Sequence, residues 1–200
     1  MANLILVRHG QSQWNEKGLW TGLTDIGLTE KGREEARFAG NKIKGLAIDF
    51  AFTSALSRAE QTLEEIKGVL GIDVPTIRTE ALNERDYGVF TGKNKWEIQK
   101  QVGDVQFKNI RRGWDVGIEN GESLKDVFSR VVPYFQTEIL PKIQSGKNVI
   151  IVAHGNSLRA LVKYLENISD EDIANLEIAT GQVYVYNLDE KGAIVSKEIR

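Results

Sequence analysis

Apolar residues fall in short unbroken runs near the two ends of the chain. Leu4 to Val7 is one, and Asn148 to Ala153 (NVIIVA) contains another. Neither alternates with polar residues, the pattern of a strand covered on both faces, as in a parallel sheet. Phe50 to Thr53 reads as a strand and Thr76 to Thr79 as a shorter one. Val183 to Leu188 and Ala193 to Ile199 flank Asp189-Glu190-Lys191-Gly192 and read as a hairpin. Between the strands the apolar period becomes helical. Thr29 N-caps a predicted helix to about Lys44, with Leu28, Ala36, Ala39 and Ile43 on one face and Gly45 at its end. Ser57-Arg58-Ala59-Glu60 has the form of a capping box. It opens a helix through Ala59, Leu63, Ile66 and Leu70, which Gly71 stops. A long helical pattern follows Ser123 through Leu124, Val127, Phe128, Val131, Phe135 and Ile139, with a kink predicted at Pro133. Another helix runs from about Ser157 to Leu165, and Ser169 caps a short one. Strands alternating with helices predict an α/β fold with a mainly parallel central sheet flanked by helices.

Asn83 to Gly121 breaks this pattern. It is rich in glycine and charge, holds Trp96 and Trp114, and offers one short helical piece near Lys95 to Gln101. A long irregular stretch in a compact chain is functional or disordered, and the aromatic content argues against disorder. It reads as an insertion covering a site. With no linker or repeat, residues 1–200 read as a single domain.

Charge and composition narrow the function. The net charge of −2 gives no global attraction to nucleic acid or membrane, so an anion site must be a local cluster of cations. With no cysteine, disulfides, zinc thiolate sites and cysteine nucleophiles are excluded. No signal-peptide pattern or membrane-length apolar run is present, so a cytoplasmic location is expected. Two histidines are too few for most histidine-rich metal centres, and no metal is expected.

Those two histidines stand in matching settings. His9 follows the first apolar run and precedes Gly10; His154 follows Ala153 and precedes Gly155. Ligands of open α/β sheets bind beyond the carboxyl ends of the strands, so both histidines are expected at one shared site. Arg8 adjoins His9, and Arg58 lies in the first turn of a helix after a strand, at the same edge. Guanidinium forks suit phosphate oxygens, and helix N-termini near Ser57 and Asn156 would add N–H donors. A phosphate pocket holding a neutral imidazole invites in-line attack on phosphorus and a phosphohistidine. The leaving alcohol then needs a general acid, for which Glu84 is one candidate among many glutamates. No P-loop and no Gly-x-Ser-x-Gly elbow occurs.

The segment LVRHGQS (Leu6 to Ser12) resembles the Arg-His-Gly signature of the histidine phosphatase superfamily. In finer detail the chain resembles the cofactor-dependent phosphoglycerate mutases. RHGQSQWN from Arg8, TSALSRAEQT from Thr53, LNERDYG from Leu82, the Arg111-Arg112 pair, GESLKD from Gly121 and AHGNSLRALVKYL from Ala153 follow that family's order over nearly the whole chain. The resemblance implies that His9 is the phosphorylated nucleophile and Glu84 the proton donor and acceptor. It implies that Arg8, Arg58 and His154 hold the transferred phosphoryl group. Ser12, Asn15, Thr21, Gly22, Arg85, Tyr87, Lys95, Arg111, Arg112, Gly155 and Asn156 would contact substrate phosphate or carboxylate. The implied reaction interconverts 3-phosphoglycerate and 2-phosphoglycerate, primed by 2,3-bisphosphoglycerate and needing no metal. The implied partners are small phosphoglycerates, with a monomer or small homo-oligomer expected.

Three departures stand out. Asp86 replaces the family's common histidine in LNERxYG, Val116 to Asn120 is shorter than in larger members, and Arg200 ends the chain without their extended tail. A looser lid would admit water and favour hydrolysis of phosphohistidine. The competing readings are a phosphomonoesterase of the same superfamily and, further off, a non-catalytic phospho-ligand binder.

Overall fold

A computed structural model describes residues 1–200. The strands are β1 (Ala2–Arg8), β2 (Phe50–Ser54), β3 (Thr76–Thr79), β4 (Val149–Ala153), β5 (Val183–Leu188) and β6 (Ile194–Ile199). They form one sheet in the order β3-β2-β4-β1-β5-β6. The first four are mutually parallel, and the hairpin β5-β6 adds an antiparallel pair beside β1. The sheet is therefore mixed but mainly parallel, as the apolar runs predict.

The helices are α1 (Gln13–Glu16), α2 (Glu30–Lys42), α3 (Ser57–Leu70), α4 (Lys95–Val102), α5 (Asp104–Arg112), α6 (Leu124–Tyr134), α7 (Leu140–Gln144) and α8 (Gly155–Glu166). Unbroken apolar strands are explained by the two layers they feed. In β1, Leu4 and Leu6 join the core under α6 and α8, whereas Ile5 and Val7 join the core under α2 and α3. The central runs Leu4–Val7 of β1 and Val149–Ala153 of β4 thus bury both faces without a polar residue, whereas the edge strands β3 and β6 carry polar residues and stay largely exposed.

The parallel register sets Arg8 opposite Ala153, and the His9 N–H donates to the Ala153 carbonyl at 2.9 Å. The next residue on each strand is a histidine, so both leave the sheet side by side. Gly10 is required here, because a Cβ on it would lie 2.0 Å from the Gly32 carbonyl oxygen of α2. That close approach packs the turn after His9 onto a helix.

Two local expectations need correction. Ser57 is the first helical residue of α3 rather than its cap; Leu56 is the N-cap and makes no side-chain cap bond. The helix after Ser123, with Pro133 inside it where a kink is predicted, runs on and loosens into a π turn at Phe135–Ile139. The insertion holds a second helix, α5, beyond the predicted piece near Lys95. Its apolar residues are few, but Phe107 and Ile110 bury with Trp20, Tyr87, Ile98 and Ile118 in a separate small core. The Trp20 and Tyr87 rings pack tilted at 51° with centroids 4.5 Å apart, and aromatic pairs contribute about 0.5–1.5 kcal/mol beyond area burial. This core holds the insertion as an ordered cap over the carboxyl edge.

Candidate active site

Arg8, His9, Arg58, Glu84, Gly155 and Asn156 line a cleft at the carboxyl edge of β1 and β4. Asn15, Thr21, Gly22, Tyr87, Lys95, Arg111 and Arg112 line it from the cap side. Most of the residues singled out from the sequence thus converge. The cleft also takes in Trp20, Arg159, Glu177 and Ile178, which sequence reasoning did not name. Arg159 had a legible signal, since it lies one helical turn after Asn156 in α8. Trp20, Glu177 and Ile178 come from connecting segments with no periodicity to betray them.

His9 is buried, and its Nδ1 lies 2.7 Å from the Gly10 carbonyl oxygen. A carbonyl only accepts, so Nδ1 carries the proton and Nε2 keeps its lone pair. Burial, followed by the charges of Arg58 and Arg8, holds the His9 pKa well below 6.5. A neutral imidazole with a free Nε2 is the nucleophilic form. His154 is fully buried beside it, its ring edge-on to His9 at 4.9 Å between centroids. Its Nε2 shares a 2.7 Å hydrogen bond with Ser54 Oγ, and burial, then Arg58, also keeps its pKa well below 6.5.

The arginines are aimed by backbone carbonyls. Arg58 donates to Thr24 O at 2.9 Å and to Gly22 O at 2.8 Å. Arg8 donates to Ile178 O at 2.6 Å. Burial is the main cause that lowers both guanidinium pKa values, that of Arg58 to about 10, which keeps Arg58 charged at neutral pH. Glu84 is held by one oxygen. Its Oε1 accepts from Arg85 N at 2.8 Å and Asn156 N at 3.0 Å, which leaves Oε2 to face the cleft.

The helix-terminus expectation needs revision. Ser57 N donates to Asp25 Oδ1 at 2.7 Å, and Asn156 N serves Glu84. At these two termini the amides named for phosphate hold carboxylates instead. The charged side chains Arg8 and Arg58 remain the main donors offered to an anion at this edge.

Three predicted site residues do not line the cleft: His154, fully buried beside His9, and Ser12 and Arg85. Ser12 caps α1, its Oγ accepting from Asn15 N while its own N–H donates to Asn15 Oδ1. This leaves the Asn15 amide as a donor toward the cleft. Arg85 is buried facing the other way, donating to the carbonyls of Glu122, Ile110 and Val116. It braces the insertion. Asp86, the departure from the family pattern, accepts from Gly88 N at 2.9 Å and shapes a tight turn. Val116 to Asn120 is tied down by Arg85 and by the Val89 N–H to Glu119 O bond, away from the cleft lining.

Six cationic side chains, Arg8, Arg58, Lys95, Arg111, Arg112 and Arg159, face two carboxylates, Glu84 and Glu177, a formal excess of four positive charges. Burial, then Arg111 and Arg8, drives the Lys95 pKa down to about 8. Three buried N–H donors in the lining, Arg8 Nε, Trp20 Nε1 and Arg159 Nε, have no partner within the protein. Unpaired buried donors among excess cations fit a small ligand with several anionic groups. A broader groove lined by Arg33, Arg37, Glu60, Glu64, Glu65 and Arg78 lies away from the histidines, and its charges pair with each other.

Comparison with known proteins agrees with this geometry. A protein named 2,3-bisphosphoglycerate-dependent phosphoglycerate mutase from Parvibaculum lavamentivorans is 52% identical over 199 residues, covering 98% of this chain and 95% of that protein. One named 2,3-bisphosphoglycerate-dependent phosphoglycerate mutase 2 from Lactiplantibacillus plantarum is 45% identical over 226 positions, covering 99% and 98%. Among solved structures, Bacillus stearothermophilus YhfR superposes with a TM-score of 0.83 at 27% identity, covering 97% and 94%. The family model for the histidine phosphatase superfamily (branch 1) matches residues 4–198. The chain belongs to branch 1 of the histidine phosphatase superfamily.

Proposed function

We propose that this protein is a 2,3-bisphosphoglycerate-dependent phosphoglycerate mutase, its 200 residues acting as one cytoplasmic catalytic domain. The observation that carries the reading is the second group of cations. Lys95, Arg111 and Arg112 face the His9–Arg8–Arg58 pocket across one cleft. A simple phosphomonoesterase needs one anion pocket, whereas a phosphoglycerate presents a phosphate and a carboxylate. The names of the relatives support the same activity.

In this mechanism His9 Nε2 carries the phosphoryl group. Arg8 and Arg58, with His154 beside them, stabilise charge on the equatorial oxygens during transfer. When bound, 2,3-bisphosphoglycerate supplies the phosphoryl group that primes His9; Arg8, Arg58, Lys95, Arg111 and Arg112 would hold its anionic groups. Phosphorylated His9 gives its phosphoryl group to the free hydroxyl of a bound monophosphate while Glu84 Oε2 takes the hydroxyl proton. His9 then takes back the phosphoryl group from the neighbouring oxygen, and Glu84 returns the proton to that oxygen. Protons and phosphoryl groups balance over the cycle, and the 3-phosphate has become the 2-phosphate.

The test is chemical trapping. Protein incubated with 2,3-bisphosphoglycerate and digested at alkaline pH is expected to carry an acid-labile phosphate on the peptide containing His9. His9→Ala is expected to carry none. Phosphate on another peptide, or none on the wild-type chain, would refute the proposal.

A further inference from the structure

The two carboxylates of the cleft are built differently. Glu84 is nearly buried and pinned by two backbone amides. Glu177 stands on the connector between Asn175 and Val183, its side chain 64% exposed. Its one partner is the guanidinium of Arg112, whose side chain is only 17% exposed. No other acceptor engages that guanidinium: its Nη2 donates to one Glu177 oxygen, and its remaining N–H groups are left for an incoming anion. The neighbouring residue acts in parallel: Ile178 O holds Arg8 at 2.6 Å. Consecutive residues of one connector thus set a carboxylate against Arg112 and a carbonyl against Arg8. The Glu177 carboxylate also feels the charges of Arg111 and Arg8, and its pKa is lowered by its bond to Arg112.

We infer that Glu177 is a resident counter-ion that occupies the second anion position and is exchanged for the carboxylate of the substrate. This rests on the mutase reading, and it makes Glu177 a specificity-determining residue. A ligand with a phosphate alone is held at Arg8 and Arg58 and leaves the Arg112–Glu177 pair in place. A ligand that adds a carboxylate at the correct distance displaces Glu177 and gains the fork of Arg112. Exchange is feasible because one partner is exposed, and solvent-screened ion pairs are weak. The pair keeps Arg112 oriented before the ligand arrives and raises the threshold for anions that cannot replace it.

The test is a calorimetric titration of unprimed protein with 3-phosphoglycerate and, separately, inorganic phosphate. Glu177→Gln is expected to tighten 3-phosphoglycerate by about three- to tenfold, the range of a weak ion pair, while changing phosphate affinity less than twofold (about 0.4 kcal/mol). In an Arg112→Gln background, Glu177→Gln is expected to have no further effect on 3-phosphoglycerate. Weaker binding of 3-phosphoglycerate, equal shifts for both ligands, no shift, or no binding of 3-phosphoglycerate would each overturn the inference. Titration needs no turnover, so a protein that shows the selective shift but does not isomerise the ligand would sink the mutase reading alone.

Discussion

His9 and His154 come from opposite ends of the chain, yet their rings meet edge to face with centroids 4.9 Å apart. The cause is register. β1 and β4 pair in parallel with Arg8 opposite Ala153, and each histidine is the residue that follows. Arg58 acts on the basicity of both rings, second only to burial. The proposed nucleophile and the proposed phosphate-stabilising group are therefore both placed by the sheet itself.

Glu84 tests the assignment of the proton carrier. Glu84→Gln keeps an oxygen for the Arg85 and Asn156 amides but replaces Oε2 with an amide. We expect kcat to fall by about 10²–10⁴, with little change in KM or thermal midpoint. Steady-state assays paired with thermal melts check this. A variant of wild-type rate would assign proton transfer to another group.

Arg85 separates bracing from binding. Arg85→Ala leaves the carbonyls of Glu122, Ile110 and Val116 unpaired. Stranding buried polar groups at about 1–3 kcal/mol each, partly relieved by water, predicts a loss of about 3–5 kcal/mol in urea unfolding. A stable Arg85→Ala protein with a raised KM would restore the substrate contact that the sequence motif implies.

How far the chain could be read before its structure follows from these cases. The strands, the flanking helices and the convergence of His9, His154, Arg8 and Arg58 were legible because apolar runs and strand ends carry direct signals. That Ser12 and Arg85 lie outside the cleft lining was not legible, because a motif names a residue without saying which way its side chain turns. α5 went unseen because its apolar positions are sparse and face a cap core rather than the sheet. Glu177 went unseen because it sits on a connector, where only tertiary contact with Arg112 gives it meaning.

The buried histidines make stability sensitive to mild acid. Both folded pKa values lie well below 6.5, whereas unfolding restores the ordinary value. Below about pH 6.5 the unfolded chain takes up protons that the folded chain refuses, so stability falls as the pH drops toward the folded values. Each histidine contributes up to about 1.4 kcal/mol per pH unit. Urea unfolding at pH 7 and pH 5.5 is expected to show this loss. Equal stability at the two values would show that the rings protonate in place.

Lys95 predicts an alkaline effect on binding. With its pKa at about 8, the free protein loses this charge as the pH rises through that value. The KM for 3-phosphoglycerate is expected to climb above pH 8, by at most about tenfold per unit. In Lys95→Arg the rise should vanish, because a guanidinium stays charged. Superimposable pH profiles for the two proteins would remove Lys95 from the clamp.

The most direct measurement is a phosphorus NMR time course of purified protein with 3-phosphoglycerate in chelator, with and without trace 2,3-bisphosphoglycerate. The phosphohistidine account predicts a growing 2-phosphoglycerate signal that depends on the bisphosphate. Growth of inorganic phosphate alone would contradict it and make the protein a phosphatase.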